Sequence, residues 1–412
     1  MPNIYGQVST ASNSFTNNKK VQLIAANVAD ARVFTKASVS KMKQSDFAGK
    51  KYGKSYSLYI PGKPKLVNGV VCNPSDITEV ETQVYLDNDN VSTTLGPWQR
   101  LGDVESFQDE IASPWAITLG RGQEKKIVKN EIFKALTALV VPKVGGVSGA
   151  DFDKLGKATA KLRKLAISSG LTGFLDPDIE AEISGKGLSK FIPSEKMNKI
   201  YGDNAIGRYG TAEWVESPDL PQFTTPASAA TATITLTNND VDASVGFDTV
   251  TSVSGTNLFA GAVFNVADLK IVDCSGIQTD VPVQVVVLSA NAAGTSGTIS
   301  PLRIALDGET ANNPNAWVPA GTSTLTATYA LSTSTTYAVG EVRTKDCFAY
   351  DTYEFDVLPG STDEVVASVG GSSVKMRIFG DGTSLDKLVR IDSSYAASLF
   401  EPREATLLLF EV

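Results

Sequence analysis

From Pro226 to about Gly340 the chain changes character. The stretch is rich in Thr, Ser, Ala, Val and Asn, and it carries two basic residues, Lys270 and Arg303, against eight acidic ones. Its short runs TATITLT, AVFNV, VPVQVVVLSA, GTISPLRIAL and STLTATYAL are parted by Gly, Asn and Asp. β-Branched side chains suit a pleated, half-buried surface, and the parting residues reach turn conformations cheaply. Many short strands at this spacing predict an all-β module, a sandwich or a barrel. Sequence of a different kind lies on both sides. The module therefore reads as an insertion, residues 226–344, in a larger domain.

The preceding flank mixes helix and strand. SPWAITLGRGQEKKIVKNEIFKALTALVVP puts Ser113 at an N-cap and Pro114 at a first helical position, with Ile127, Val128, Ile132, Ala135, Leu136 and Leu139 at helical steps. The spacing predicts one long helix ended by Pro142, with Gly120 and Gly122 as sites of an early kink. A second helix is expected from Ser148, with Asp151 as a partial capping box, an apolar stripe of Phe152, Leu155, Leu162 and Leu165, and a stop at Gly170. In GLTGFLDPDIEAEI, Leu171 to Leu175 reads as a buried strand and Asp176 as the cap of a helix with Pro177 at its first position. GTAEWVESPDLPQF adds a strand ending at Ser217-Pro218. This alternation indicates an α/β or α+β domain.

Residues 1–50 are polar and read as an extended arm with at most one short helix. Residues 1–65 hold eleven Lys or Arg and two acids, Asp30 and Asp46, although the whole chain has a net charge of -8. A basic arm on an acidic body can dock on copies of itself or on an acidic polymer, or it can simply be solvated. Tyr56, Leu58 and Ile60 alternate with Ser55, Ser57 and Tyr59, and a second alternating run returns at Thr78 to Leu86. Together they predict a two-stranded hairpin with the tip Pro61-Gly62-Lys63-Pro64. Such a hairpin has little core of its own and needs another surface. Near the C-terminus, SVKMRIFGDGTSLDKLVRID reads as strand, turn and strand around Gly380-Asp381-Gly382, and ATLLLF as a last buried strand.

Several chemistries are disfavoured. The chain has no histidine, which removes the commonest general base and transition-metal ligand. Its three cysteines, Cys72, Cys274 and Cys347, lie far apart, so free thiols in a reducing compartment are expected. Gly380-Asp381-Gly382 does not open a helix, as a phosphate loop would. LDNDNVS and TNNDVD lack calcium-loop spacing and read as turns. Glu180 and Glu182 read as a solvated surface, and Lys125, Lys126, Lys129 and Lys134 as a solvated helix face that could otherwise touch nucleic acid. No catalytic residue, metal ligand or cofactor site is assigned. The N-terminus shows no export signal, and no apolar run is long enough for a membrane span.

Three stretches carry a resemblance. GFLDPDIEAEI, GTAEWVESPDLP and SVKMRIFGDGTSLDKLVRIDSSY, in this order, resemble the strand–helix unit, the Ser-x-x-Leu-Pro element and the late hairpin of tailed-bacteriophage major capsid proteins with the HK97-like fold. The chain is most similar to short-tailed phage coat proteins with an inserted β-domain. The resemblance implies an α+β capsid fold: an N-terminal arm at 1–50, an extended hairpin loop at 51–90, a peripheral domain with a long spine helix at 91–144, and an axial domain at 145–225. The inserted β-rich domain would occupy 226–344, and 345–412 would return to the axial and peripheral parts. It further implies many copies assembled as hexamers and pentamers, with scaffolding, portal and decoration proteins as possible partners. Packaged double-stranded DNA would be touched without sequence reading, and no membrane is involved. The place implied is the virion capsid, assembled in the host bacterial cytoplasm. Tyr59, Pro61, Lys63 and Lys65 are the expected subunit contacts. Alternatives are an encapsulin-type shell, a β-rich adhesin or carbohydrate-binding protein, and an enzyme working through carboxylates.

Overall fold

The structure, a computed structural model, describes residues 18–41, 55–60, 79–95, 113–146, 148–187, 207–236, 248–306, 313–319, 324–353, 363–380 and 387–412. In chain order these form helix α1 (Asn18–Ala31), strands β1 (Ser55–Ile60), β2 (Val80–Tyr85) and β3 (Asp87–Leu95), and helix α2 (Ser113–Glu131). Next come β4 (Thr137–Val141), α3 (Phe152–Arg163), β5 (Leu171–Leu175), α4 (Pro177–Gly187), β6 (Gly207–Tyr209), β7 (Ala212–Glu216) and β8 (Gln222–Thr224). The Thr-rich stretch supplies β9 (Thr231–Thr235), β10 (Asp248–Thr256), β11 (Val263–Val272), β12 (Gln278–Ala290), β13 (Ser296–Leu306), β14 (Ala316–Val318) and β15 (Thr324–Tyr329). The last strands are β16 (Thr336–Thr344), β17 (Phe348–Tyr353), β18 (Asp363–Val369), β19 (Ser372–Gly380), β20 (Lys387–Leu399) and β21 (Ala405–Glu411). The chain divides into two compact units, one of residues 1–56, 83–127 and 349–398, the other of 57–82, 128–348 and 399–412.

The first unit is built on a five-stranded sheet in the order β17-β20-β19-β18, with β3 also paired to β20. α1 packs on it through Val21, Ile24, Ala25 and Val28, spaced i, i+3, i+4, i+7, against Val374, Met376, Val389 and Ile391. Residues 18–39 thus hold the one helix that the expected arm allowed, docked on the sheet. Their apolar stripe was visible in KKVQLIAANVADA and overrides the polar average. Ala116 and Leu119 of α2 join the same core. A Cβ on Gly120 would lie 3.0 Å from both Ala31 Cβ and Val28 O, so Gly120 permits a close helix crossing. β3 runs antiparallel to β20 over nine registered pairs, from Asp87↔Tyr395 to Leu95↔Lys387. LDNDNVS is therefore strand, not turn.

The second unit contains a mixed sheet in the order β4-β21-β16-β5-β7-β6, with β8 on β16. β21 is parallel to β4 and antiparallel to β16, and from Ala405 to Phe410 it is buried. A strand covered on both faces reads as a continuous apolar run, as ATLLLF does. The expected single helix to Pro142 is cut short: α2 ends at Glu131, Ile132–Lys134 make one tighter turn, and Thr137–Val141 become β4. β-Branched Thr137, Val140 and Val141 gain a ladder with β21 that a helix there would forgo. α3 begins after Asp151 rather than Ser148 and ends at Arg163, where Ala166 (φ 62°) already turns the chain. α4 starts as expected, with the Asp178 amide donating to Asp176 Oδ1 at 3.0 Å. Gly173 stands directly beside Trp214 in the β5–β7 register, and a Cβ there would fall 2.2 Å from the indole.

The Thr-rich stretch closes into a barrel. β10, β9, β15, β11, β12 and β13 pair in turn, β13 pairs back to β10, and β14 bridges β13 and β11. Val266, Val283, Val285, Ile299, Leu302, Ile304 and Leu325 belong to its buried core, which is continuous with that of the mixed sheet. Closure removes free edges, the usual hazard of strand-rich sequence. β16, expected within the β-module up to residue 344, belongs instead to the mixed sheet, so the barrel strands end at Tyr329. No described helix is long and apolar enough to cross a membrane.

Candidate functional site

β1 and β2 form a separate two-stranded sheet. Tyr59 is 59% exposed on it, while Tyr56, Leu58 and Ile60 on the opposite face are buried. Pro61, Lys63 and Lys65, the other expected contacts, lie outside the described residues. One face of β1 is thus buried and the other exposed. Tyr56 is fixed by Asp351: its hydroxyl donates to Oδ2 at 2.8 Å, beside Ser40 Oγ on Oδ1 at 2.5 Å and the Lys41 amide on Oδ2 at 3.2 Å. Burial and the Asp351 charge push the Tyr56 phenol well above its ordinary range.

Glu182 is exposed, but Glu180 is buried, which corrects its reading as surface. Asp87 and Asp89 hold Lys126 Nζ at 2.5 and 3.2 Å, so this lysine of α2 braces β3 and does not stand free. Lys134 pairs with Glu131 at 2.7 Å. Gly380 ends β19, and β20 returns antiparallel from Lys387, so a strand pair and not a strand–helix unit flanks the glycine turn. Residues 381–386 and the TNNDVD segment are outside the described residues. Among the described residues no group of three or more acids or cysteines is placed to hold a metal.

Among the described residues, charge is buried at four nodes among others. Glu124 of α2, fully buried, accepts the Val33 amide at 2.8 Å and Thr35 Oγ1 at 2.9 Å, with the Phe34 amide on the same carboxylate. Burial raises its pKa against the pull of these bonds. Arg377 pairs with Asp392 across β19 and β20 at 3.0 Å. Arg343 pairs with Glu341 at 2.7 Å and lies over the rings of Phe348 and Phe174, at 4.1 and 4.9 Å. Burial pushes Glu341 up to about 7 despite that guanidinium. Arg403 uses all five donors: Nε and Nη2 grip Glu401 at 2.7 and 2.8 Å, Nη1 reaches the Asp273 and Pro314 carbonyls at 3.1 and 3.3 Å, and Nη2 reaches Asn313 Oδ1 at 3.4 Å. Sequence reasoning assigned none of these residues. For Glu124 a signal existed, because it shares a helical row with Gly120 and Val128.

One open cleft of about 420 Å³ lies in the second unit, lined by Thr137, Lys161, Lys164, Thr279, Asp280 and Gln284, among others. Gln284 sits at the centre of its hydrogen bonds. Its amide donates to Leu136 O at 2.9 Å, and its Oε1 accepts the Ala138 amide at 2.5 Å and Lys161 Nζ at 2.9 Å. Lys161 Nζ also donates to Ala138 O. Burial, with Lys164 beside it, pulls the Lys161 ammonium down to about 8. The helical row Ala158, Lys161, Leu165 was the available sign that this lysine faces inward.

No protein-family model matches the chain, and no curated protein matches it. Solved structures do resemble it. A structure of Mycobacterium phage Che8 is 11% identical, covers 92% of this chain and 90% of its own, and has a TM-score of 0.45. The capsid structure of the cyanophage P-SCSP1u is 11% identical over 92% of this chain and 87% of its own, with a TM-score of 0.45. A virus-like particle from Pyrococcus furiosus is 8% identical over 95% and 97%, with a TM-score of 0.38.

Proposed function

We propose that the chain is a major capsid protein of the HK97-like fold, many copies of which close into an icosahedral shell around a phage double-stranded DNA genome. The observation that carries this reading is the order of parts. A basic N-terminal segment precedes a two-stranded ribbon with an exposed Tyr59, then a helix of 19 residues, then a mixed sheet whose strands β8 and β16 bracket a closed barrel. In this reading the ribbon is the extended loop, α2 the spine helix, the mixed sheet with α3 and α4 the axial core, and the barrel an insertion. Residues 1–50 remain the arm, with α1 docked. Tyr59, Pro61, Lys63 and Lys65 contact a neighbouring subunit.

The physics suits the role. A repeated contact of modest area becomes decisive when every copy makes it and symmetry closes the assembly. DNA packed inside a shell needs diffuse charge rather than a recognition element. The test is to express the chain alone, run it on a sizing column and inspect the void fraction by negative-stain microscopy. Shells, tubes or capsomers are expected. A monomer at every concentration refutes the reading. Deletion of Pro61 to Pro64 should block assembly and leave a soluble folded subunit; loss of that subunit refutes the placement of the ribbon.

A further inference from the structure

We propose that the cleft at Lys161 is an oxyanion site, taking a carboxylate or a phosphate between the Lys161 and Lys164 side chains. An ammonium has three donors. Two of those on Lys161 go to Ala138 O and Gln284 Oε1, both uncharged acceptors. Among the described residues no carboxylate pairs with Lys161. Three buried guanidiniums differ in this: Arg343 has Glu341, Arg377 has Asp392 and Arg403 has Glu401. Lys161 is thus a half-buried cation whose bonded partners are neutral, a costly arrangement that an anion in the cleft would relieve.

The charges around the cleft favour that sign. Lys164 lines it from the residue after α3, and Asp280 lines it from β12. Asp280 is already engaged by Lys270 of β11 at 3.2 Å, which blunts its repulsion. The negative end of α3 opposes an anion here, but Lys161 and Arg163 occupy that last turn and offset it. The volume exceeds what one oxyanion needs, so the group can arrive attached to a larger body or free. Both sources share one chemistry: inorganic phosphate, or a side-chain carboxylate of a second copy of this acidic chain.

The experiment is thermal melting of the full chain at pH 7 in sodium phosphate, against sodium chloride matched in ionic strength. Phosphate should give a saturable rise of about 2 °C or more in the parent chain. Lys161→Met should fold, since it removes a poorly solvated charge, and should abolish the rise. Lys164→Gln, at an exposed position, should weaken phosphate about two- to five-fold. Raising the pH through the Lys161 range should weaken binding as the amine loses its proton. Equal responses in the parent and both variants, or no saturation, overturn the site. Light scattering then separates the sources. If a second copy supplies the carboxylate, phosphate and Lys161→Met both lower the associated mass; if the ligand is free, only the melting shift is lost. This inference does not depend on the capsid reading.

Discussion

Replacing Arg403 by Met tests how the C-terminal segment is held to the barrel. Arg403 is buried just before β21, and its contacts reach Asp273 after β11 and Asn313–Pro314 before β14. Methionine keeps most of the stem volume and removes the fork. Glu401 then remains buried with no guanidinium, and breaking one side of a buried pair costs about 3–5 kcal/mol. The two carbonyls left by Nη1 add to this, but not additively, because they belong to one network. The expectation is a loss of about 3–5 kcal/mol in urea unfolding, followed through Trp317, whose indole donates to Thr279 O at 2.9 Å in the barrel. The double variant Arg403→Met with Glu401→Leu removes both charges. It should recover at least about 1 kcal/mol over the summed single losses. A single variant within about 1 kcal/mol of the parent, or strict additivity in the double, would refute the argument.

Other perturbations follow from the same geometry. Gly173→Ala drives a methyl into the Trp214 ring and should cost about 1–3 kcal/mol, read as a lower melting temperature with a shifted Trp emission. Glu124→Gln weakens the anchor of residues 33–35 on α2 and should cost about 1.5–3 kcal/mol, with faster amide exchange at Val33 and Phe34. Glu341 is raised in the folded state, so it adds most stability below the ordinary glutamate range. That contribution falls as pH rises to about 7 and is flat above. Glu341→Gln should remove this slope, worth up to about 3 kcal/mol, from parent-minus-variant melting curves; an unchanged slope would show that another group titrates.

What the sequence revealed and what it hid divide along the range of the interactions. The Asp176-Pro177 cap, ATLLLF and the Thr-rich strands are local patterns, and the structure contains each of them. β3 and β4 were misread because their partners lie some 300 and 270 residues away in the chain. Asn88 and Asp89 look like turn residues until Ser394 Oγ and the Tyr395 hydroxyl, at 3.0 and 2.9 Å, are set opposite them. Thr137 to Val141 continue a helical rhythm until β21 lies alongside. The candidate site was hidden for the same reason. Lys161 shows its helical row, but Ala138 and Gln284, which surround its amine, belong to distant segments.

The buried charges point to a shared logic. Glu124 fastens the turn after α1, Asp392 ties β20 to β19, Glu341 and Arg343 sit in the middle strand of the mixed sheet, and Arg403 fixes the approach to β21. Apolar residues of equal volume would often stabilise such positions as well or better. What a directed fork adds is geometry, because Arg403 satisfies its five donors in one placement of Glu401, Asp273, Asn313 and Pro314 only. If the chain is the shell subunit proposed above, it gains more from uniform shape than from surplus stability, since each small error in one copy is met by its neighbours. On the proposed capsid reading, replacing Arg403 and Glu401 together should leave a folded subunit that assembles into a broader range of particle sizes. Particles as uniform as those of the parent chain, measured by electron microscopy, would remove specificity as the reason for these nodes.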